Sequence, residues 1–356
     1  MAEQVRIATF HTELSRDGPG LLLRDTLSKD DPQVEAVIQI IRASNADVLV
    51  LADIDYDLNS TALAALAKRI GGYPHHFALL PNRGVPSGVD LDGNGRIGGP
   101  GDAQGYAAYK GQGGLAVLSR WPIRHTLARD FSAMRWTDLP GHIAPEGTPD
   151  VQRLSTTGHW DLPVEVTGGH LIHLLVWHAT PPVFDGPEDR NGRRNHDEAA
   201  IWLRYLEDGL GLSPPSTFVI AGFANLDPVD GNGRPEALQT LLRHPLIYDP
   251  KPTSEGASQA TIEDGGINAR HVGDPSLDTV DWGDANNRPG NLRVDYVLPS
   301  RTLDVLDSGV FWPPVDHLFG RDVQVASRHR LVWVDVTLPD SARDGGQRIG
   351  HAEARQ

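Results

Sequence analysis

The sequence contains no cysteine among its 356 residues. Disulfide bonds, thiolate metal sites and cysteine nucleophiles are therefore excluded, while an oxidising and a reducing compartment both stay open. Basic residues are scarce too, because 32 lysines and arginines stand against 47 acidic residues and give a net charge of −15. This charge repels polyanions over long distances, so the sequence disfavours duplex nucleic acid as a partner.

Long hydrophobic runs are also missing, and no apolar run reaches the length of a membrane span. A strand-like segment at residues 5–10 begins almost at the amino terminus, with no signal peptide before it. We therefore expect a cytoplasmic protein, or a secreted or periplasmic one whose leader was removed. No Gly-x-Ser-x-Gly elbow occurs, and no P-loop or Gly-x-Gly-x-x-Gly follows a strand, which argues against serine hydrolases and nucleotide-binding folds.

Short aliphatic runs alternate with helical patterns through most of the chain. The runs are continuously apolar, as expected of strands covered on both faces, and lie at residues 5–10, 48–54, 114–119, 170–177, 217–222, 292–298 and 331–338. Helices are predicted at residues 32–44, 61–70, 195–210 and 235–243. The alternation predicts a layered α/β fold in one domain over residues 1–340, followed by a flexible tail at 341–356.

Polar residues that could act as metal ligands, acids or bases stand at the ends of these apolar runs. A single polar residue at a strand end is usually only a loop residue. Several that converge on one edge of the sheets would instead form a site, and the candidates are His11, Asp53, His178, Asn225, Asp295 and His329.

The order of motifs resembles the endonuclease/exonuclease/phosphatase family, and the chain looks like a divergent bacterial member. The family strings ATFN, DVLxLxE, GxxAxLSRxPI, GDxNxDP, RxDYVLxS and SDHR are similar to residues 8–11, 47–53, 113–123, 222–228, 293–300 and 327–330. The resemblance spans nearly the whole chain. It implies a four-layered α/β sandwich related to DNase I, in which two packed mixed β-sheets are flanked by helices.

By this resemblance the catalytic residues would be His178, Asn225, Asp295 and His329. In the family a Mg²⁺-class ion bridges phosphate and carboxylates, and a histidine supported by an aspartate acts at the phosphoester. The other matched positions are changed. The asparagine is His11, the metal-binding glutamate is Asp53, the water-orienting aspartate is Phe223, and the last metal aspartate is Arg328.

We therefore expect a divergent metal-dependent phosphoester hydrolase for a small or lipid-like anionic substrate. Asp53 keeps an oxygen ligand for Mg²⁺ or Mn²⁺, whereas the cation of Arg328 weakens metal binding and can instead grip an anion. His11, Tyr106 and Tyr109 are further substrate-binding candidates. Two alternatives remain: the histidines and carboxylates could hold Zn²⁺ or Mn²⁺, or Phe223 and Arg328 could mark a non-hydrolytic, anion-binding protein.

A loop at residues 90–102 is a second metal candidate. Asp90, Asp92 and Asn94 follow the first half of an EF-hand-like loop, but position twelve is Gly101, with Asp102 beside it. The loop predicts a structural Ca²⁺ site or, alternatively, a polar turn capped by its own side chains. The charged segment at residues 185–198 follows His178 and could contact substrate, but it is predicted to be merely solvated.

Overall fold

The computed structural model describes residues 4–285 and 287–338, so the predicted tail at 341–356 lies outside the described residues. The strands are β1 Val5–His11, β2 Val48–Ile54, β3 His75–Phe77, β4 Gly114–Ser119, β5 Arg129–Asp130, β6 His159–Val166, β7 His170–His178, β8 Phe218–Phe223, β9 Val280–Asp281, β10 Asn291–Leu292, β11 Asp295–Pro299, β12 Asp304–Phe311 and β13 Leu331–Thr337. The α-helices are α1 Leu21–Ser28, α2 Pro32–Ser44, α3 Thr61–Ile70, α4 Arg190–Leu206, α5 Glu236–Leu242, α6 Glu255–Asp264 and α7 Gly320–Ala326. Among the helices in this part of the chain, none has the length and apolar character that crossing a bilayer requires.

Two mixed sheets contain most of the strands. One sheet has the order β12-β13-β1-β2-β4-β3, in which only β1 and β2 pair in parallel. The other has the order β11-β8-β7-β6-β5, in which only β7 and β8 pair in parallel. Strands β9 and β10 form a separate two-stranded ladder.

The alternation of side chains along the central strands creates the layers. In β2, Val50 packs into the core between the sheets, while Leu49 faces the helices on the outside. In β7, Val176 likewise packs into the core between the sheets, and Leu175 faces the helices on the outside. Helices α1, α2, α3 and α7 cover the first sheet, and α4 and α5 cover the second. The predicted four-layered α/β sandwich is therefore confirmed.

One predicted strand differs from the structure in an informative way. The run at residues 292–298 divides into β10 and β11, since the backbone leaves the ladder at Arg293 and Val294. The N–H of Arg293 donates to Oδ2 of Asp227 at 2.7 Å, and the N–H of Val294 donates to Oγ1 of Thr279 at 3.0 Å. Side-chain acceptors replace strand pairing at this point.

The charged segment before α4 was predicted incorrectly in its second half. Helix α4 already begins at Arg190, and the side chains of Asp197 and Glu198 have no exposed area. Asp197 accepts hydrogen bonds from the indole of Trp136 at 2.6 Å and from the N–H of Ile143 at 2.8 Å. Burial of these carboxylates is possible because each finds hydrogen-bond donors in the interior.

Candidate active site

The first sheet brings three of the predicted residues to one edge. Because β1 and β2 are parallel neighbours, His11 and Asp53 both lie at their carboxyl ends. Strand β13 runs antiparallel to β1, so His329, just before β13, lies at the same edge. The predicted convergence thus follows directly from the topology.

The second sheet contributes residues to the same place. His178 at the end of β7 pairs with Phe223 at the end of β8, and Asp295 at the start of β11 pairs with Phe223 from the other side. Asn225 follows β8 by two residues. All of these side chains are buried, although His178 and Asn225 still line the cavity described below.

Three imidazole rings form the centre of the site. The rings of His11 and His329 are stacked, with centroids 4.2 Å apart and planes inclined by 14°. His11 meets His178 edge-on at 5.0 Å and Phe223 at 5.5 Å.

Burial, reinforced by the neighbouring His329, lowers the pKa of His11 to about 4. Burial also lowers the pKa of His178 well below its usual value, and His11 and Arg83 add to this effect. His11 and His178 are therefore uncharged at neutral pH.

His329 and Asp295 form a buried dyad. Nδ1 of His329 lies 3.1 and 3.0 Å from the two carboxylate oxygens of Asp295, which has no exposed area. None of the described residues forms a hydrogen bond to Nε2 of His329, and the residue lines the cavity. Because the carboxylate holds the Nδ1 proton, Nε2 is available to accept a proton.

Asn225 fixes the orientation of His178. Its Nδ2 donates to the carbonyl of Ala179 at 2.8 Å and lies 3.2 Å from Nε2 of His178. On the opposite side of the ring, Nδ1 of His178 lies 3.4 Å from Oγ1 of Thr157. Both amide hydrogens of Asn225 are thus used within the protein, so this residue acts first on His178.

Asp53 is held by an arginine that sequence analysis did not identify. Its Oδ1 accepts from Nη1 of Arg83 at 3.2 Å, and its Oδ2 accepts from Oγ of Ser15 at 3.1 Å. The pairing of β2 with β4 shifts at Asp53, as in a β-bulge. A Cβ at Gly113 would overlap Oδ1 of Asp53, and Gly113 has a φ of +61°, so only glycine suits this position.

Arg328 is paired with a second unpredicted residue, Glu13. Nε and the backbone N–H of Arg328 both donate to the carboxylate of Glu13 at 2.8 Å, and Nη2 contacts it as well. Burial alone would raise the pKa of Glu13, but the hydrogen bonds from Arg328 lower it to about 2. The charge of Arg328 is therefore largely compensated within the protein.

Three non-glycine residues of the site have left-handed backbone conformations. The φ angles are +51° for Glu13, +59° for Asp53 and +50° for Asn225. Such conformations cost about 1–3 kcal/mol each and are concentrated at functional sites. Their occurrence around one cavity indicates that the fold maintains this arrangement against local strain.

Phe223 occupies the family position of the water-orienting aspartate. Its ring is fully buried and meets His11 and His178 edge-on. Asp227 lies four residues further along but accepts three backbone N–H groups, from Val229, Asp230 and Arg293. Its carboxylate is therefore committed to the loop that contains it.

A cavity of about 2020 Å³ opens above the imidazole rings. Its wall includes Tyr106, which is 72% exposed, and the apolar side chains of Phe184 and Val229. Tyr109 does not line the cavity, since its hydroxyl donates to the carbonyl of Arg16 at 3.1 Å. Of the two predicted tyrosines, the structure places only Tyr106 where a ligand could reach it.

The residues present do not fit the Mg²⁺ site that the family resemblance implies. Asp53 is paired with Arg83, the carboxylate of Glu13 faces Arg328, and both oxygens of Asp295 face His329. Within residues 4–285 and 287–338, no three histidine or carboxylate ligand atoms at this site lie within 4.8 Å of one another. A hard cation would have to displace guanidinium groups from its own ligands.

The second metal candidate is more compact. Ligand oxygens of Asp90, Asp92 and Asp102 lie within 4.8 Å of one another. Asp90 also accepts backbone N–H groups of its own loop, and Oδ1 of Asn94 accepts the N–H of Arg96 at 2.9 Å. These bonds are typical of the polar turn. The Ca²⁺ site stays a prediction, in which Asp102 would take the role expected at position twelve.

Glu198 is a buried support that the sequence did not reveal. Its carboxylate accepts the N–H of Thr156 at 2.5 Å and that of Thr180 at 2.6 Å, and so joins the segments on both sides of His178. Burial raises the pKa of Glu198 to about 7. Its helical spacing within α4 could have indicated an inward face, but the surrounding charges obscured that signal.

Comparison with known proteins gives consistent results. The model of the Endonuclease/Exonuclease/phosphatase family matches residues 16–329. A search of curated proteins found no match. Similar solved structures include an endonuclease/exonuclease/phosphatase from Beutenbergia cavernae, with a TM-score of 0.55 at 19% identity, covering 94% of this chain and 72% of that one. The human Nocturnin catalytic domain has a TM-score of 0.53 at 13% identity, with 95% and 96% covered. A family protein from Bacteroides thetaiotaomicron has 0.52 at 12%, with 96% and 97% covered.

Proposed function

Because the chain belongs to the endonuclease/exonuclease/phosphatase family, we propose that it hydrolyses a phosphoester bond of a small or lipid-like anionic substrate. Members of this family are generally phosphoester hydrolases. The observation that carries the proposal is the buried pair of His329 and Asp295. His329 lines the cavity, and its Nε2 has no hydrogen-bond partner among the described residues. A carboxylate-supported imidazole is the group that general-base catalysis requires.

The proposed reaction assigns one proton transfer to His329. A water oxygen attacks phosphorus and gives its proton to Nε2, while Asp295 stabilises the imidazolium that forms. The ester P–O bond breaks, its electron pair stays on the leaving oxygen, and this oxygen takes a proton from solvent. His11 is neutral, and its Nδ1, which has no partner among the described residues, can donate a hydrogen bond to a phosphate oxygen without adding charge. His178 is also neutral, but its two ring nitrogens are held by Asn225 and Thr157, so it supports His11 at an edge-on contact of 5.0 Å.

The shape of the cavity supports the substrate class. A volume of about 2020 Å³ exceeds what a phosphate group alone needs, and Phe184, Val229 and Ile267 provide an apolar wall. Arg270 lies on the same wall, is exposed and suits an anionic group. The net charge of −15 argues against a duplex nucleic acid.

Dependence on Mg²⁺ or Mn²⁺, or on Zn²⁺ as the alternative, stays a prediction from the resemblance and the residue types. The ion pairs of Asp53 and Arg328 do not favour it. The structural Ca²⁺ predicted for Asp90, Asp92 and Asn94 would stabilise the loop beside the cavity and takes no part in the proposed chemistry.

A second candidate is a non-hydrolytic protein that binds an anion in the same cavity. It is favoured by Phe223, which fills the place of the water-orienting aspartate and cannot accept a proton. In this case the histidines and arginines would recognise a phosphate or carboxylate group without cleaving it.

Hydrolysis of a p-nitrophenyl phosphodiester and of the corresponding monoester tests the two candidates. Each substrate is assayed with Mg²⁺, Mn²⁺, Zn²⁺ or a chelator. For the hydrolase we expect turnover in at least one condition, and His329→Gln should lower kcat by about 10² to 10⁴. His173→Gln is a matched control, because His173 pairs with Asp161 at 2.5 Å but does not line the cavity. Absence of turnover in every condition would favour the non-hydrolytic candidate.

A further inference from the structure

We propose that Arg83 takes the place of the divalent cation, and that this cavity binds the phosphate group of its ligand without metal. The inference rests on the proposed function, because it concerns the same phosphate group. It depends on Arg83 and His11, which both line the cavity and each have a buried nitrogen without a hydrogen-bond partner among the described residues.

Arg83 has most of its hydrogen-bonding capacity unused. One amino group, Nη1, contacts Oδ1 of Asp53 at 3.2 Å. Its Nε is buried and has no hydrogen-bond partner among the described residues. Nε–H and Nη2–H point to the same side of a guanidinium and form the fork that grips two oxygens of a phosphate. Asp53 thus holds the guanidinium by its other nitrogen, and this fork has no partner among the described residues.

His11 provides a second unsatisfied polar atom in the lining of the same cavity. The residue is only 8% exposed, and its Nδ1 is buried without a partner in the described chain. A buried polar atom without a partner is costly, and a ligand oxygen would remove that cost. The ring of His11 lies 5.0 Å from that of His178, and both residues line the same cavity as Arg83 and its partner Asp53.

Arg328, the arginine predicted from the sequence for this role, is less suited to it. Its Nε, Nη2 and backbone N–H all contact Glu13, so its fork is already occupied. The charge of Glu13 also offsets the attraction that Arg328 would exert on an anion. Arg83 is the arginine whose fork remains open while its position stays fixed.

A guanidinium at this position can supply part of what a metal ion supplies. It offers a permanent positive charge and directed donors to the non-bridging oxygens of a phosphate. It also accounts for the carboxylates here being paired with cationic groups of the protein rather than left free.

Binding of inorganic phosphate, measured by isothermal titration calorimetry on the full chain, tests the inference. Wild type and variants are titrated in excess chelator and again with Mg²⁺. We expect wild type to bind phosphate in chelator, with no tightening by Mg²⁺. Arg83→Gln should weaken binding about tenfold or more, and Arg83→Lys should give an intermediate loss because it keeps the charge but not the fork.

Arg120→Gln is the matched control, because Arg120 pairs with Asp47 through Nη1 at 2.9 Å away from the cavity. It should bind phosphate as wild type does. Thermal unfolding of each variant separates a local loss from a loss of the fold. Binding that requires Mg²⁺, or unchanged binding by Arg83→Gln, would overturn the inference. If either result were accompanied by turnover of the phosphodiester, the proposed hydrolase activity would be retained, and only the proposal of a metal-free phosphate site would be rejected. Wild type that neither binds phosphate nor turns over the ester would contradict both.

Discussion

Replacement of His11 by asparagine, the residue of the family motif, should change how stability depends on pH. His11 is buried against His329, and burial lowers its pKa to about 4. In the unfolded chain a histidine titrates near pH 6.5, at about its ordinary value. The folded state therefore binds this proton less readily than the unfolded state. Stability is complete above about pH 6.5 and is lost as the pH falls toward 4.

The size of this effect follows from the two pKa values. With pKa values of 6.5 unfolded and about 4 folded, protonation of this one residue at pH 5 stabilises the unfolded chain relative to the native state by about 2 kcal/mol. Urea unfolding at pH 7.5 and pH 5, followed by tryptophan fluorescence, gives the loss for wild type and for His11→Asn. Comparing the two losses cancels the other buried histidines.

Wild type should lose about 2 kcal/mol more than His11→Asn between the two pH values. Any cost of the smaller side chain is present at both pH values and drops out of the comparison. If wild type and His11→Asn lose the same unfolding free energy between the two pH values, within about 0.5 kcal/mol, the reasoning is refuted. His11 would then have the same pKa in the folded and the unfolded state.

Further predictions concern the supports of the site. Burial raises the pKa of Glu198 to about 7, so this carboxyl group alone should cost about 2–3 kcal/mol of stability as the pH rises from 5 to 8. The difference in unfolding free energy between wild type and Glu198→Gln, measured in urea at both pH values, should change by that amount. Gly113→Ala should destabilise the fold by about 1–3 kcal/mol through its left-handed φ and its contact with Asp53, as a lowered Tm would show. Phe223→Asp should cost about 3–5 kcal/mol in unfolding free energy, because it leaves a cavity and buries a charge.

The sequence was sufficient to predict which strand-end residues the fold brings together. His11, Asp53 and His178 stand at the ends of strands that are parallel to a neighbour, and parallel strands end at one edge of a sheet. The dyad of Asp295 and His329 could be expected from the motif order. The structure supplies its contact at 3.0 Å.

The charge balance of the site could not be predicted, because it depends on residues outside any motif. Arg83 and Glu13 belong to loops, and only tertiary packing brings them to Asp53 and Arg328. Glu198 was hidden in a charged segment whose second half forms a buried helical face. Local pattern carries no information on such long-range pairs.

Strand β6 was missed for a different reason. Its Pro163 removes a backbone donor, which argues against a strand within a sheet. In the structure Pro163 pairs with His173 on one side, while on the other side β5 reaches only Asp161. The ring is accommodated because β6 has a full partner on only one side there.

The measurement that tests the central claim most directly is the rate of phosphodiester hydrolysis by Asp295→Asn. This change keeps the size of the side chain but removes the carboxylate that holds Nδ1 of His329 at 3.0 Å. If the dyad acts as the general base, kcat should fall by about 10² to 10⁴ while the variant stays folded. A folded variant that hydrolyses the ester at the wild-type rate would contradict the account.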